Sequence, residues 1–261
     1  GLNYTDNWGK KIAVTGSYMF NASENTTIKN TNTEYLLIDK SAVDSSHSVT
    51  TNYNHRVNMR IEYNIDSLNS MIIVPRFSIQ NNSSESNSLN LLNIGEISSL
   101  TQGKTTSDNI GYNFGNDMTW RHKFMKKGRT LSVRSSISYD KRDNDTKELV
   151  LIDTHPDNLL TDGFTSSLTV NTNLNYTEPI SKFSQLQLSL NNRYNKGDND
   201  REVFEMADDF SVLGRFDSLS NNYDNEFMAN RVGLSYLYSK GKLNFSTGVN
   251  YERSDLTGKQ I

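Results

Sequence analysis

The chain has 261 residues, with 27 Lys and Arg against 30 Asp and Glu, so its formal net charge is −3. This near balance argues against a general nucleic-acid-binding protein, which usually shows a basic excess, and the absence of cysteine excludes disulfide scaffolds, thiol catalysis and cysteine-ligated zinc. Only 34% of the residues are hydrophobic, yet 10% are aromatic, and 34 Asn and 32 Ser make up a quarter of the chain. A chain this polar with so many aromatic residues requires an architecture with two different faces.

No stretch approaches the roughly 18–20 apolar residues of a transmembrane helix. A basic and then apolar signal peptide is also missing at Gly1. Because the chain starts with Gly and has no evident terminal feature at Ile261, we interpret it as a mature portion or an excised piece of a longer protein.

Strict alternation of apolar and polar residues predicts long β-strands. Over residues 49–65 the odd positions are mainly apolar or aromatic, as at Val57, Ile61 and Tyr63, and the even positions are Asn, Thr, Arg and Glu. The same period of two recurs, in chain order, at about residues 109–121, 131–139, 167–176, 185–194, 232–238 and 243–251. We count about nine long strands, and no comparable run has helical spacing.

The connections between these strands alternate in length. Short turns are predicted near residues 66–69, 125–128, 178–182 and 240–241, whereas long Asn-, Ser- and Asp-rich stretches cover about residues 21–48, 81–106, 140–162 and 195–225. We predict hairpins with tight turns at one end and large loops at the other. The apolar patches inside the long stretches, at residues 35–38 and 149–152, are predicted to be strand extensions or folded pieces of the loops.

These features together predict an all-β fold, an antiparallel transmembrane β-barrel whose apolar face meets lipid and whose polar face lines a wet lumen. Aromatic residues support it, with one set near the short turns (Tyr63, Trp120, Phe124, Tyr176, Tyr236 and Tyr238) and another farther along the strands (Tyr53, Tyr112, Phe164 and Tyr194). Ten residues at about 3.3 Å each and a tilt near 40° rise roughly 25 Å, the height of the apolar band of such barrels.

The alternative is a soluble β-sandwich or a β-rich adhesin stalk, whose strands also alternate. Soluble strands average about 5–6 residues, which is far shorter than the alternating segment 49–65. A soluble core would also consist mainly of Val, Ile, Leu and Phe, whereas the second face here is almost entirely Asn, Ser, Thr, Gln and Arg. The sequence therefore favours the membrane barrel.

Three segments carry a family resemblance: GLNYTDNWGKK at residues 1–11, NHRVNMRIEYNIDS at 54–67 and VPRFS at 74–78. They resemble outer-membrane β-barrel proteins related to the TonB-dependent receptors, most strongly over about residues 1–80 and only in pattern afterwards. The resemblance implies a full-length protein with an export signal, a small β-sandwich domain, a plug domain and a barrel of about 22 strands. We therefore expect residues 1–261 to be an internal part of one such barrel domain, without the signal, the plug and the C-terminal strands, and with exposed edge strands.

Charged side chains on the predicted lumen face are the main candidates for contact with a plug or a solute: Arg56, Arg60, Glu62, Asp117, Arg121, Arg134 and Arg193. Mutual pairing that stiffens the wall is an equally good interpretation of these charges. Asp198, Asp200 and Glu202 are candidate calcium ligands because carboxylates two residues apart can supply several oxygens. They lack the EF-hand spacing, and solvated loop charge is the commoner role of such runs.

No catalytic motif is present: the four histidines are far apart, and the zincin, nucleophile-elbow, phosphate-loop and dinucleotide patterns do not occur. We expect no enzyme activity, no cofactor and no metal. The resemblance implies an outer-membrane transporter that imports a nutrient solute. Its expected partners are outer-membrane lipid, the plug of the same chain, the TonB energy-coupling system and a surface lipoprotein, but no nucleic acid. The alternative is a non-transporting surface barrel or adhesin whose long loops bind a partner.

Overall fold

The computed structural model of the chain describes residues 1–207, 209 and 211–260. These residues form one antiparallel sheet. Its twelve strands are β1 (Leu2–Trp8), β2 (Ile12–Tyr35), β3 (Lys40–Asn64), β4 (Asn69–Ile94), β5 (Ile97–Lys123), β6 (Thr130–Ile152), β7 (His155–Pro156), β8 (Asn158–Pro179), β9 (Ser184–Met206), β10 (Val212–Arg215), β11 (Asn221–Lys240) and β12 (Leu243–Gln260). Among the described residues, no helix has the length and apolar character needed to span a bilayer.

The short strand β1 and the nine long strands follow one another in the sheet in chain order, and two further short strands lie off this path, with β7 on β6 and β10 on β9. Each long ladder keeps a single register along its whole length. The β2–β3 ladder, for example, runs from the pair Ile12–Tyr63 to the pair Tyr35–Lys40. Because side chains alternate between faces, this constant register gives the sheet two continuous faces. We call the face that holds Val57, Ile61 and Tyr63 the apolar face, and the other the polar face.

The prediction of about nine long strands is confirmed, since nine described strands have 18 residues or more. The prediction of large loops is wrong for most of the long polar stretches, which are paired strands. The connection between β2 and β3, for instance, is only residues 36–39, and that between β4 and β5 is residues 95–96. Beyond the apolar band both faces of a hairpin meet water, so Asn, Ser and Thr can fill a strand there without an apolar alternation to reveal it.

The two apolar patches inside these stretches have different structures. Residues 36–38 form the tip of the β2–β3 hairpin, where Leu36 and Leu37 are 93% and 98% exposed. Residues 149–152 belong to β6 and pair with β5.

The pairing of β3 with β4 is interrupted near Pro75, opposite Met59 and Arg60. Proline has no N–H to donate to a ladder, so it weakens a strand interior locally.

The sheet is a single layer with almost no core. The buried hydrophobic residues are Val14, Ala42, Val203 and Met206 among the described residues. Strands β1 and β12 form the two edges and are exposed along their whole lengths. This agrees with the expectation of exposed edge strands. Large apolar side chains that remain exposed over a wide single layer need another apolar surface, such as membrane lipid, to cover them.

Candidate functional site on the polar face

The aromatic residues of the apolar face form two slanted lines across the sheet. Tyr53 of β3 shares a cross-strand row with Ile110 of β5, whereas Tyr112 lies two residues nearer to the short turns. Tyr139 lies two residues nearer again, and Tyr194 of β9 two more. These residues form the line farther from the short turns, which we call the outer line. From Tyr53 to Tyr194 it shifts by six residues over five steps between neighbouring strands, or about 1.2 residues per strand.

A shift of this size defines the tilt of the strands. With a rise of about 3.3 Å per residue and about 4.8 Å between strands, it corresponds to about 40° from the normal to the aromatic lines. The inner line, which is the one nearer to the short turns, shifts by four residues over the four steps from Trp120 of β5 through Tyr176 to Tyr236 of β11, which corresponds to about 35°. Tyr63 of β3 shares the row of Trp120, so this slope begins at β5. Strands of barrels tilt by about 35–45°, so the aromatic lines have the slope of two membrane interfaces.

One predicted member of the outer line does not belong to it. Phe164 shares the row of Tyr53, although β8 is four steps farther across the sheet. It therefore lies outside the slanted band, between Asp143 and Asp200, with the Lys141 ammonium 5.2 Å from its ring. The prediction is wrong for Phe164 because distance along one strand does not include the slope across strands.

The inner aromatic line contains a compact cluster between β5 and β8. The rings of His122 and Phe124 meet edge to face at 4.4 Å, and Phe124 lies 6.1 Å from Tyr176. Glu178 joins this cluster to the β5–β6 turn, because its carboxylate accepts bonds from Arg129 at 2.6 and 2.8 Å and from Lys126 at 2.5 Å. The Tyr176 hydroxyl donates a further bond to Glu178 at 2.7 Å. These contacts fasten the inner ends of neighbouring hairpins together.

All seven charged residues predicted to face the lumen lie on the polar face (Arg56, Arg60, Glu62, Asp117, Arg121, Arg134 and Arg193). The structure brings some of them together: Arg60 Nε lies 2.7 Å from Glu62 Oε1, and Arg134 Nη2 lies 3.4 Å from Asp117 Oδ1. Arg56 donates instead to the Asn54 side chain at 3.0 Å. The guanidinium carbon of Arg193, on β9, lies 5.8 Å from the centre of the Phe227 ring on β11.

Sequence reasoning missed three charged residues of the same surface. Arg76 pairs with Asp117 from the side opposite Arg134, so Asp117 is held between two arginines. Arg231 lies 3.7 Å from Glu252 on the neighbouring strand. The apolar run at residues 71–74, in which Ile72 and Val74 fall on the polar face, hides the alternation that would have identified Arg76. The alternation of β11 and β12 could have identified the other pair.

A row of acidic residues lies beyond the outer aromatic line, on the face of the strands that continues the apolar face. Asp108, Asp145, Asp162 and Glu202 are directly opposed on four neighbouring strands. The pKa of the Asp162 carboxyl is raised, first because the surrounding strands remove part of its solvent and then because Asp145, Asp200 and Asp143 are negative. The neighbouring carboxylates of the row therefore repel one another and destabilise the folded protein.

Of the calcium candidates, Glu202 belongs to this row, and Asp198 and Asp200 lie beside it on the same strand. Asp198 accepts a bond from Ser166 at 2.9 Å and lies 3.7 Å from the Lys196 ammonium, and Glu202 lies 3.5 Å from Arg215 Nε. Within the described residues, no three His, Cys, Asp or Glu side chains are arranged to hold a metal ion. Calcium binding at Asp198, Asp200 and Glu202 stays a prediction from the sequence.

Replacing Asp162 by Asn is expected to stabilise the folded protein at neutral pH, by about 0.2–1 kcal/mol for each opposed carboxylate pair that it removes. A carboxyl whose pKa is raised on folding destabilises the folded state as pH rises through that raised pKa. The gain should therefore be present at pH 7 and disappear below the ordinary pKa of 3.8. Urea unfolding of the full-length protein in lipid vesicles at several pH values measures it.

Glu226→Gln is the matched control, because Glu226 lies opposite Lys196 rather than opposite a carboxylate. This control should give no gain at any pH. An equal gain in both variants, or a gain for Asp162→Asn that persists in acid, would contradict the repulsion that we assign to the row.

The comparison with protein families supports an outer-membrane barrel. The model of the outer membrane protein beta-barrel family matches residues 122–261. No curated protein sequence matches the chain. Among solved structures, the translocator domain of autotransporter NalP from Neisseria meningitidis aligns over 98% of this chain and 90% of that chain, at 12% identity and a TM-score of 0.15. A TM-score this low supports no argument about fold or function.

Proposed function

Because the chain belongs to the outer membrane protein β-barrel family and is located in the outer membrane, we propose that the whole protein imports a nutrient solute as a transporter similar to the TonB-dependent receptors. The observation that carries the proposal is the continuous polar face. In an outer-membrane barrel the apolar face meets lipid, so the polar face lines the lumen. A lumen wall with exposed arginines and amides over many strands suits the passage of a polar solute.

The proposed barrel is large, with about 22 strands, and residues 1–261 are one part of its single barrel domain. The support is that the tilted sheet already has nine long strands while both edges remain unpaired within the described residues. Lipid offers no partners for the backbone groups of an edge strand, so in this proposal further strands complete the wall. Barrels of this size enclose a lumen wide enough to need a plug.

In this proposal a plug domain of the same full-length chain closes the lumen and takes energy from the inner membrane through the TonB system. The charged polar face contacts the plug, the solute or both. Outer-membrane lipid surrounds the apolar face, and a surface lipoprotein is a further proposed partner at the outer end. We assign no catalytic residue and no cofactor to the chain, because transport of this kind needs binding and conformational change rather than bond chemistry.

The test compares nutrient use by cells with and without the full-length gene, in strains with intact or disrupted TonB energy coupling. Import predicts at least one nutrient whose uptake is lost in the gene deletion and also in the coupling mutant. Uptake that depends on the gene but not on coupling would contradict the TonB-dependent part of the proposal. Unchanged uptake of every nutrient would contradict import itself.

A specific observation favours the second candidate, a surface barrel or adhesin that binds a partner without transport. The strands continue about 10–15 residues beyond the outer aromatic line, and the hairpin tips carry exposed Leu36 and Leu37 with Ile94 and Ile97 close by in the sheet. Exposed apolar tips of this kind mark contact surfaces. In the uptake experiment, this candidate predicts no coupling-dependent nutrient.

A further inference from the structure

Arginine is segregated to the polar face of the membrane-crossing part of the sheet. Between the two aromatic lines, the described strands carry six arginines and no lysine on this face, and Arg121 follows directly after Trp120 of the inner line; the six are Arg56, Arg60, Arg76, Arg134, Arg193 and Arg231. The lysines are found mainly in the inner turns and the outer hairpins. Arginine presents a rigid planar fork that binds carboxylate, sulfate and phosphate groups through two bonds, which lysine cannot do.

Internal pairing does not neutralise these arginines. The same region of the polar face has only three carboxylates, Glu62, Asp117 and Glu252. In the described part of the chain, Arg56, Arg121 and Arg193 have no carboxylate within 4.0 Å, whereas Asp117 alone serves two arginines. If the wall needed only stiffening by ion pairs, equal numbers of both charges would suffice.

The acidic residues of the outer hairpins are directed away from this surface. In the long strands beyond the outer aromatic line, the continuation of the apolar face carries thirteen carboxylates and six basic residues. The polar face there carries four carboxylates, Asp44, Asp140, Glu148 and Glu205, with four basic residues, Lys29, Lys40, Arg142 and Arg201. The polar face is thus balanced in charge in the outer hairpins and net positive in the membrane-crossing part, although the whole chain is net negative. Such a surface does not repel an anion at the hairpins and attracts it farther in.

A recess on the polar face links these two regions. It has a volume of about 350 Å³ and is lined by Gln80, Asn82, Asn109, Gly111 and Arg142. Gly111 has no side chain to fill the recess, although a β-carbon there would meet nothing nearer than 3.9 Å. The amide nitrogens of Gln80, Asn82 and Asn109 each donate one bond to Asn52 or Ser107. Their second hydrogens and the Arg142 guanidinium provide donors for several oxygens of one solute. The recess lies just outward of Arg56, so it would meet an incoming solute before the arginines do.

We propose that the polar face binds a polyanionic solute, one with several phosphate, sulfate or carboxylate groups, through Arg142 in the recess and then Arg56, Arg121 and Arg193. This inference rests on the proposed import function, because it names the chemical class of the solute. The paired arginines at Asp117 and Glu62 hold the wall in shape between the free ones. Neutral solutes lack the charge that would repay removing these guanidinium groups from water.

The test measures binding of fluorescent polyphosphate, dextran sulfate, polyglutamate and uncharged dextran to the purified full-length protein. At least one anionic polymer should bind and uncharged dextran should not, and the tightest arm identifies the anion. Arg56→Gln with Arg121→Gln should weaken that binding by about tenfold or more, because two charge-assisted contacts are lost. Lys147→Gln with Lys259→Gln, which removes the same charge from the opposite face, should leave the affinity unchanged.

Binding of uncharged dextran equal to that of the polyanions would overturn the proposal, as would an unchanged affinity in the Arg56, Arg121 variant. If these arginines only dock the plug, the variant should raise the ion conductance of the protein in planar bilayers while polymer binding stays the same, which would also overturn it. Unboiled gel mobility confirms that the variant is folded, and Arg193→Gln replaces it otherwise. Arginine-dependent binding without any cellular uptake would contradict import but support the binding site.

Discussion

Ile137→Arg is expected to destabilise the folded protein by about 2–4 kcal/mol, the cost of placing an arginine on the lipid face of a barrel near the bilayer midplane. Ile137 lies on the apolar face of β6, between Asn116 and Val170 of the neighbouring strands and within the two aromatic lines. Urea titration of the full-length protein in lipid vesicles, followed by the gel mobility of the unboiled protein, measures the loss.

Ser138→Arg provides the control at the adjacent residue. Ser138 lies on the polar face opposite Gly115 and Thr169, and its hydroxyl donates to Asp140 at 3.2 Å. An arginine there faces water and a carboxylate, so we expect a change below about 0.5 kcal/mol, as for other surface substitutions. Equal losses at residues 137 and 138 would contradict the assignment of the two faces.

Phe124→Ala is expected to destabilise the inner end of the sheet by about 2 kcal/mol. The ring contacts His122 and Tyr176, and the Arg129 guanidinium lies 5.8 Å from its centre. Aromatic pairs contribute about 0.5–1.5 kcal/mol each beyond the area that they bury, and an exposed cation–π contact about 0.5–1 kcal/mol. The same urea titration measures the change.

Phe183→Ala is the matched control for this cluster. Phe183 lies in the next short turn, is 44% exposed, and has one cation–π contact, with Lys240 at 5.3 Å. Its replacement should cost less than half as much as the loss of Phe124. If the two variants were equally destabilised, the cluster of His122, Phe124 and Tyr176 would have no special role in holding the hairpins together.

The period of two predicts the strands and their faces wherever the bilayer imposes it. Val57, Ile61 and Tyr63 alternate with Asn58, Arg60 and Glu62 because one face must be apolar and the other wet. The same reasoning places all the lumen candidates on one face. It fails beyond the aromatic lines, since the hairpins at residues 21–48 and 81–106 meet water on both faces and carry no comparable signal.

Contacts across strands are the other part that the sequence does not reveal. The ion pairs of Asp117 with Arg76 and Arg134 depend on the register of three strands. The acidic row through Asp162 joins residues from four strands that are up to 94 positions apart, as from Asp108 to Glu202. The slope that excludes Phe164 from the outer aromatic line has the same origin. Register is fixed by the turns and by the packing of the whole sheet, so a single strand does not contain it.

Single-cysteine scanning along β6 tests the central claim, that one face meets lipid and the other a wet lumen. Residues 1–261 contain no cysteine, so each residue from Leu131 to Tyr139 can be probed alone in the full-length protein once any cysteine outside these residues is replaced. In native outer membranes, we expect a membrane-impermeant thiol reagent to label residues 132, 134, 136 and 138 and to leave 131, 133, 135, 137 and 139 unlabelled. Uniform labelling, or alternation of the opposite phase, would contradict the claim.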